Sequence, residues 1–132
     1  MGMYTEIHFN AALREGTPEE VLRVLRYMVD GDDKEPELPA HPLFATPRWR
    51  HLFTCDSYYF AADTNSTLRY DDIAKQYFLC VRSNLKNYDN EIEQFIDWID
   101  PYLDAHPPGD FLGFSRYEET ETPTLIYKQG EK

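Results

Sequence analysis

One segment in the last third of the chain combines an apolar stripe with an acidic one. The apolar side chains recur at helical spacing: Ile92, Phe95, Ile96, Ile99 and Leu103. Four acids form a second stripe displaced from the first: Glu93, Asp97, Asp100 and Asp104. This pattern predicts a helix from about residue 91 to 103 that packs one face and exposes negative charge on the other. Pro101 should kink or restart it, and the side chains of 87–90 suit a cap.

The composition is that of a single folded domain over residues 1–132. A hydrophobic fraction of 42%, with 15% aromatic residues, is enough for a core and argues against disorder. Two cysteines, Cys55 and Cys80, are too few for a disulfide framework. No segment has the length of a membrane span, and Met1–Leu13 lacks the apolar run of a signal peptide. These features predict a cytoplasmic protein that does not associate with membranes.

The charge balance limits the classes of partner. The chain has 24 acids against 13 lysines and arginines, a net charge of −11. Nucleic-acid binding draws its sequence-independent affinity from basic side chains, so this balance disfavours it. The ten tyrosines could form a base-stacking platform, but the aromatic signature of RNA-binding sheets is absent from residues 76–85. We therefore predict no nucleic-acid partner.

Alternating and helical patterns predict an α+β fold. Ile7, Phe9, Ala11 and Leu13 alternate with polar residues in a first strand, and 76–85 predicts a longer strand whose Tyr77, Leu79, Val81 and Ser83 face the core. Two hairpins are predicted, one pairing 57–62 with 67–70 and one pairing 111–118 with 124–128, with a bulge at Gly113.

The helical segments have recognisable boundaries. Thr17-Pro18-Glu19-Glu20 reads as a capping box that opens a helix from Pro18 to Asp30, and Gly31 is its left-handed stop. A flexible loop with acids and prolines follows over about residues 31–42. Thr46-Pro47 then predicts a short helix that places Trp49, Leu52 and Phe53 on one side.

Together these elements predict an antiparallel sheet covered on one face by two main helices. A ferredoxin-like arrangement with additions is the first choice of topology.

Several stretches resemble a family of small uncharacterised acidic proteins of phages and bacteria. The stretches are 42–50, which reads PLFATPRWR, 84–93, which reads NLKNYDNEIE, and 98–102, which reads WIDPY, with similarity at both ends of the chain. The resemblance implies a phage or bacterial origin. It implies no activity and no site residues.

Three side-chain groupings invite chemical readings, each weaker than a structural one. The acids of 30–37 could bind calcium, but they lack the spacing of a calcium loop. His51 and Cys55 would share a helix face and could activate a thiolate, yet no third partner accompanies them. Glu6, His8 and Arg82, dispersed over two predicted strands, could assemble a small-ligand or enzymatic site.

The sequence therefore favours a non-enzymatic protein-protein interaction module without cofactor or metal. Its partner-binding residues would be Glu93, Asp97, Asp100 and Asp104, facing a basic protein. The alternative is a small enzyme or ligand binder with a site assembled around the sheet. Self-association through a strand edge, giving a homo-oligomer, is compatible with either.

Overall fold

Five strands and two α-helices form the part of the chain that the computed structural model describes, residues 3–31, 34–57, 60, 63–104 and 110–129. In chain order they are β1 (Thr5–Ala12), α1 (Glu19–Asp30), β2 (Thr67–Asp71), β3 (Gln76–Leu85), α2 (Glu91–Ile99), β4 (Phe111–Tyr117) and β5 (Thr124–Tyr127). Short 3-10 helices lie at Pro42–Ala45, Trp49–His51 and Asp100–Tyr102.

The strands form one antiparallel sheet in the order β2-β3-β1-β4-β5. The succession β1-α1-β2-β3-α2-β4 has the β-α-β-β-α-β element order of ferredoxin-like domains, and β5 is an addition that pairs with β4. The predicted α+β class is confirmed.

The core lies between the sheet and the helices. Alternation along β1 buries Ile7 and Phe9 completely, and the ring of Phe9 lies 5.3 Å from that of Phe95 on α2. Phe53 closes the cluster, its ring 5.2 Å from Phe95. The apolar faces predicted for the two helices are buried in this core, except Ile96, which is only partly buried. Of the strand 76–85, Leu79, Val81 and Ser83 are buried, as predicted, whereas Tyr77 is only partly buried against the core.

The helix α1 begins differently from its prediction and ends as predicted. Thr17 does not cap it, because its hydroxyl donates a hydrogen bond to the carbonyl oxygen of Arg14 at 2.6 Å. Pro18 occupies the N-cap without a side-chain bond, so the predicted capping box is wrong. At the other end Gly31 adopts φ 68° and donates its N–H to the carbonyl of Tyr27.

An aromatic segment fills the space between the two helices. The ring of Phe44 lies 4.9 Å from that of Trp49 and 5.2 Å from that of Trp98. The short helix predicted after Thr46 is a single 3-10 turn, because Thr46 is extended and ends the preceding 3-10 helix. The predicted orientation is nevertheless confirmed, since Trp49, Leu52 and Phe53 are all fully buried. We refer to α1, α2 and residues 34–53, which include this segment and the loop before it, as the helical layer.

The first predicted hairpin joined 57–62 to 67–70, whereas in the structure β2 forms a hairpin with β3. The two strands pair through a tight turn, with Tyr70 lying opposite Tyr77. Of that predicted arm, Ser57 and Phe60 are not in a strand, and its other residues lie outside the described ones. The closing hairpin is confirmed as β4 and β5, with an irregularity between Phe111 and Gly113 where the bulge was predicted.

The acidic helix is shorter than predicted. α2 ends at Ile99, and the 3-10 turn Asp100–Tyr102 replaces its last turn because Pro101 cannot continue the helical hydrogen bonds. The first turn of α2 is capped by Asn87, whose side-chain oxygen accepts a hydrogen bond from the N–H of Ile92 at 2.8 Å.

Candidate functional site

Two of the four predicted partner-binding acids are exposed on α2. Asp97 is 78% exposed, and one of its carboxylate oxygens lies 2.9 Å from Nε2 of His41. Glu93 is exposed and accepts a hydrogen bond from the side-chain amide of Asn87. These two carboxylates are available to a partner.

The other two acids are engaged within the fold. The side chain of Asp100 is only 14% exposed and accepts hydrogen bonds from Lys128 Nζ and from the N–H of Gln129, both at 3.0 Å. Asp104 lies beyond the 3-10 turn, where it accepts a hydrogen bond from the side-chain amide of Gln76. The early end of α2 thus leaves Glu93 and Asp97 on the helix and places Asp100 and Asp104 beyond it, where Asp104 is exposed but hydrogen-bonded.

The arginines of the helical layer are all paired with acids. Arg23 and Arg26 contact Glu19 at 3.9 and 3.1 Å, and Arg50 donates to Glu35 at 2.6 Å. Arg48 lies 2.9 Å from Asp89 and 3.3 Å from Glu91. Burial opposes the charged form of Arg48, but the hydrogen bonds and charges of these two carboxylates outweigh it and raise the pKa of the guanidinium.

After this pairing, five exposed acids of the helical layer have no lysine or arginine partner among the residues described. They are Glu20, Asp30, Glu37, Glu93 and Asp97, which we call the acidic surface. Of its members, only Glu93 and Asp97 belonged to the predicted stripe. The other three could have been found only by knowing which acids the arginines neutralise.

The face of the sheet away from the helical layer carries basic and aromatic side chains. In the register of the central strands, His8 lies beside Arg82 of β3 and beside Phe114 of β4. Arg116 donates from Nε to Glu6 at 3.0 Å. The structure thus brings together the three dispersed residues of the alternative prediction, Glu6, His8 and Arg82, and adds Arg116, which the sequence did not single out.

A pocket opens on this face beside His8. It has a volume of about 180 Å³ and is lined by His8, Asn10, Asn65, Cys80, Val81 and Arg82, a set that we call the sheet pocket. Asn10 and Cys80 are cross-strand neighbours, and the N–H of Asn65 donates to the carbonyl of Arg82 at 2.8 Å. The outward positions of β1 and β3 could have identified these strand residues. Asn65 could not be identified, because the sequence pattern predicts it in a hairpin turn and not beside β3.

The predicted thiolate pair does not acquire the geometry of a nucleophile. His51 is exposed and Cys55 is half-buried, and the hydrogen bond between them joins their backbones, Cys55 N–H to His51 carbonyl at 2.8 Å. Burial raises the pKa of the Cys55 thiol, which is the reverse of activation.

Within the described part of the chain, no group of three or more His, Cys, Asp or Glu side chains is arranged to bind a metal ion. Asp32 and Asp33 of the suggested calcium loop lie outside that part. No described helix combines the length and apolar character needed to cross a bilayer.

No protein-family model, curated protein or solved structure matches this chain. The resemblance to small phage and bacterial proteins therefore stays a prediction.

Proposed function

We propose that this protein is a non-enzymatic interaction module that binds a basic protein through its acidic surface. The observation that supports the proposal is the pairing of every described arginine of the helical layer with an acid of the same layer. The five acids left over are exposed and outnumber the layer's remaining cation, Lys34, so the layer presents net negative charge.

The placement of these acids suits electrostatic docking. Glu20 and Asp30 lie near the two ends of α1, whereas Glu93 and Asp97 lie on α2. The loop that carries Glu37 is held against the layer on both sides of this residue, by the contact of Arg50 with Glu35 and by that of Asp97 with His41. A charged face of this kind accelerates association with a partner of opposite charge and makes the association rate sensitive to salt.

A charge-matched pair of double variants tests the proposal. Glu93→Gln with Asp97→Asn removes two negative charges from the acidic surface, and Glu119→Gln with Glu121→Gln removes two from the exposed turn between β4 and β5. Asp100 and Asp104 are left intact because their contacts stabilise the fold. Wild type and both variants would be used to capture bacterial proteins at low and high salt, followed by association-rate measurements with the purified captured protein.

Binding through the acidic surface predicts both the charge of the captured protein and how its association rate responds to salt and to the substitutions. The captured protein should be basic, and its association rate should fall as the ionic strength rises beyond the point where the screening length is about 10 Å. The α2 double variant should associate several-fold more slowly, whereas the turn double variant should retain the wild-type rate. Equal rates for both double variants, or rates independent of salt, would overturn the proposal.

A further inference from the structure

The sheet pocket lies on the face of the sheet that the helical layer does not cover, so it is separate from the acidic surface. Its floor is formed where β1 and β3 pair, with His8 opposite Arg82 and Asn10 opposite Cys80. Asn65 forms the side wall because its backbone continues along β3 beyond the end of β2. The pocket is thus built on two central strands, which are the most rigid supports a sheet offers.

The polar groups of the pocket are mostly donors. Arg82 donates from Nε to the carbonyl oxygen of Asp63 at 2.7 Å, which orients the guanidinium and leaves its two terminal NH₂ groups without a partner among the described residues. The side-chain amides of Asn10 and Asn65 make no hydrogen bond within the same part of the chain, and both are exposed. Arginine and amide N–H groups converging on one depression match the oxygens of a carboxylate or a phosphate.

The orientation of His8 is fixed by its neighbours. Its ring stacks on that of Phe114, with centroids 4.6 Å apart and planes 13° from parallel. Its Nε2 lies 3.5 Å from a carboxylate oxygen of Glu6. The other oxygen of Glu6 accepts the hydrogen bond from Arg116, so the carboxylate beside His8 is already paired.

None of the described residues that line the pocket is acidic, although the protein as a whole has a net charge of −11. We propose that the sheet pocket binds a small oxyanion, through the terminal NH₂ groups of Arg82 and the amides of Asn10 and Asn65. A volume of about 180 Å³ is below the range of about 300 to 1,000 Å³ that drug-sized ligands occupy. The ligand is therefore a phosphate or a short-chain carboxylate rather than a nucleotide, and a polyanion would be repelled by the acidic remainder of the protein.

The test is a nuclear magnetic resonance titration of the full chain, labelled with ¹⁵N, at low ionic strength. Inorganic phosphate and succinate would be added in separate experiments. Binding should produce saturable shifts of the side-chain amide signals of Asn10 and Asn65 and of the Arg82 Nε–H signal, with a dissociation constant of about 1 mM or tighter. Saturation with one anion only identifies the ligand as phosphate-like or carboxylate-like, and saturation with both identifies a general oxyanion site.

Arg69 provides the matched control. It lies opposite Phe78 on the same face of the sheet, with its guanidinium 5.0 Å from the Phe78 ring, and does not line the pocket. Arg82→Gln should weaken binding at least tenfold and Arg82→Lys less, whereas Arg69→Gln should bind like wild type. Absence of saturable shifts with both anions in wild type would overturn the proposal, as would equal weakening by Arg82→Gln and Arg69→Gln. The wild-type titration and Arg82→Lys decide the matter even if Arg82→Gln does not fold.

Discussion

At Gly113 the backbone of β4 passes so close to β1 that no side chain fits between them. A Cβ atom built on Gly113 would lie 1.8 Å from the carbonyl oxygen of His8 and 2.7 Å from its carbonyl carbon. The residue also has φ +153°, a conformation that other residues rarely adopt. The pattern of the sequence indicated an irregular strand at this glycine. It could not show the cause, because the atoms that exclude a side chain belong to a residue more than a hundred positions earlier.

Replacing Gly113 by alanine should destabilise the protein by more than about 3 kcal/mol, since the added carbon must displace backbone of a central strand and adopt a strained conformation. Gly31→Ala is the matched control, because Gly31 also has positive φ but no atom within 4 Å of the position of a Cβ. It should cost only about 1 to 2 kcal/mol, the penalty for a left-handed residue. Urea unfolding would measure both. Similar losses for the two variants would show that backbone conformation alone, and not the approach to His8, sets the requirement.

At the scale of elements, the N-terminal end of α2 is attached to the aromatic segment by an ion pair between Glu91 and Arg48. Glu91 is fully buried, and its carboxylate is satisfied by Arg48 and by the backbone N–H of Asp89 at 3.1 Å. A buried carboxylate without its cation is costly, so this contact determines how the aromatic segment lies against α2.

Arg48→Ala should therefore lower the free energy of unfolding by about 3 kcal/mol, because it leaves the Glu91 carboxylate buried and uncompensated. Arg50→Ala is the control: its partner Glu35 is 37% exposed, and an exposed pair contributes at most about 1 kcal/mol. Chemical denaturation of both variants would compare them. If Arg50→Ala were as damaging as Arg48→Ala, burial of Glu91 would not be the reason for the loss.

Helices and strands could be predicted where the evidence for them lies in residues that are neighbours in the sequence. The long strand β3 and the core face of α1 follow from the spacing of apolar residues, and both were predicted with nearly correct bounds. The partner of β2 was missed, and the cap of α2 was predicted only as one of the residues 87–90, because each depends on which of several equally suitable residues is nearest in space. The same limit applied to the site, since alternation placed His8 and Arg82 on outward positions but only the strand order makes them neighbours.

At the scale of the whole molecule, charge is unevenly distributed between the two faces of the sheet. The helical layer has the unpaired acids of the acidic surface, whereas Arg69, Arg82 and Arg116 lie on the opposite face. With 24 acids against 13 lysines and arginines, we expect repulsion among like charges to outweigh the ion pairs. The folded state therefore concentrates negative charge that the unfolded chain would disperse.

Moderate salt should consequently stabilise the protein. Raising the sodium chloride concentration so that the screening length shortens from about 30 to about 8 Å should increase the free energy of unfolding by about 1 kcal/mol, since each like-charge pair one helical turn apart costs about 0.2 to 0.5 kcal/mol. Glu20→Gln combined with Glu93→Gln, two acids without a cation partner among the described residues, should raise stability at low salt and reduce the increment. Thermal unfolding at several salt concentrations would measure both effects. A protein that salt destabilises would indicate that its ion pairs, rather than repulsion, dominate.

The close approach at Gly113 also limits how the sequence of this protein can evolve. A lineage that keeps this pairing of β1 with β4 can substitute most surface positions freely, but every ancestor and descendant must retain glycine at this point or change the path of a strand. Glycine at position 113 is therefore expected in every sequence that keeps this strand pairing. Distant relatives whose remaining residues have diverged could be recognised by a glycine in their fourth strand, opposite a core-facing position of the first.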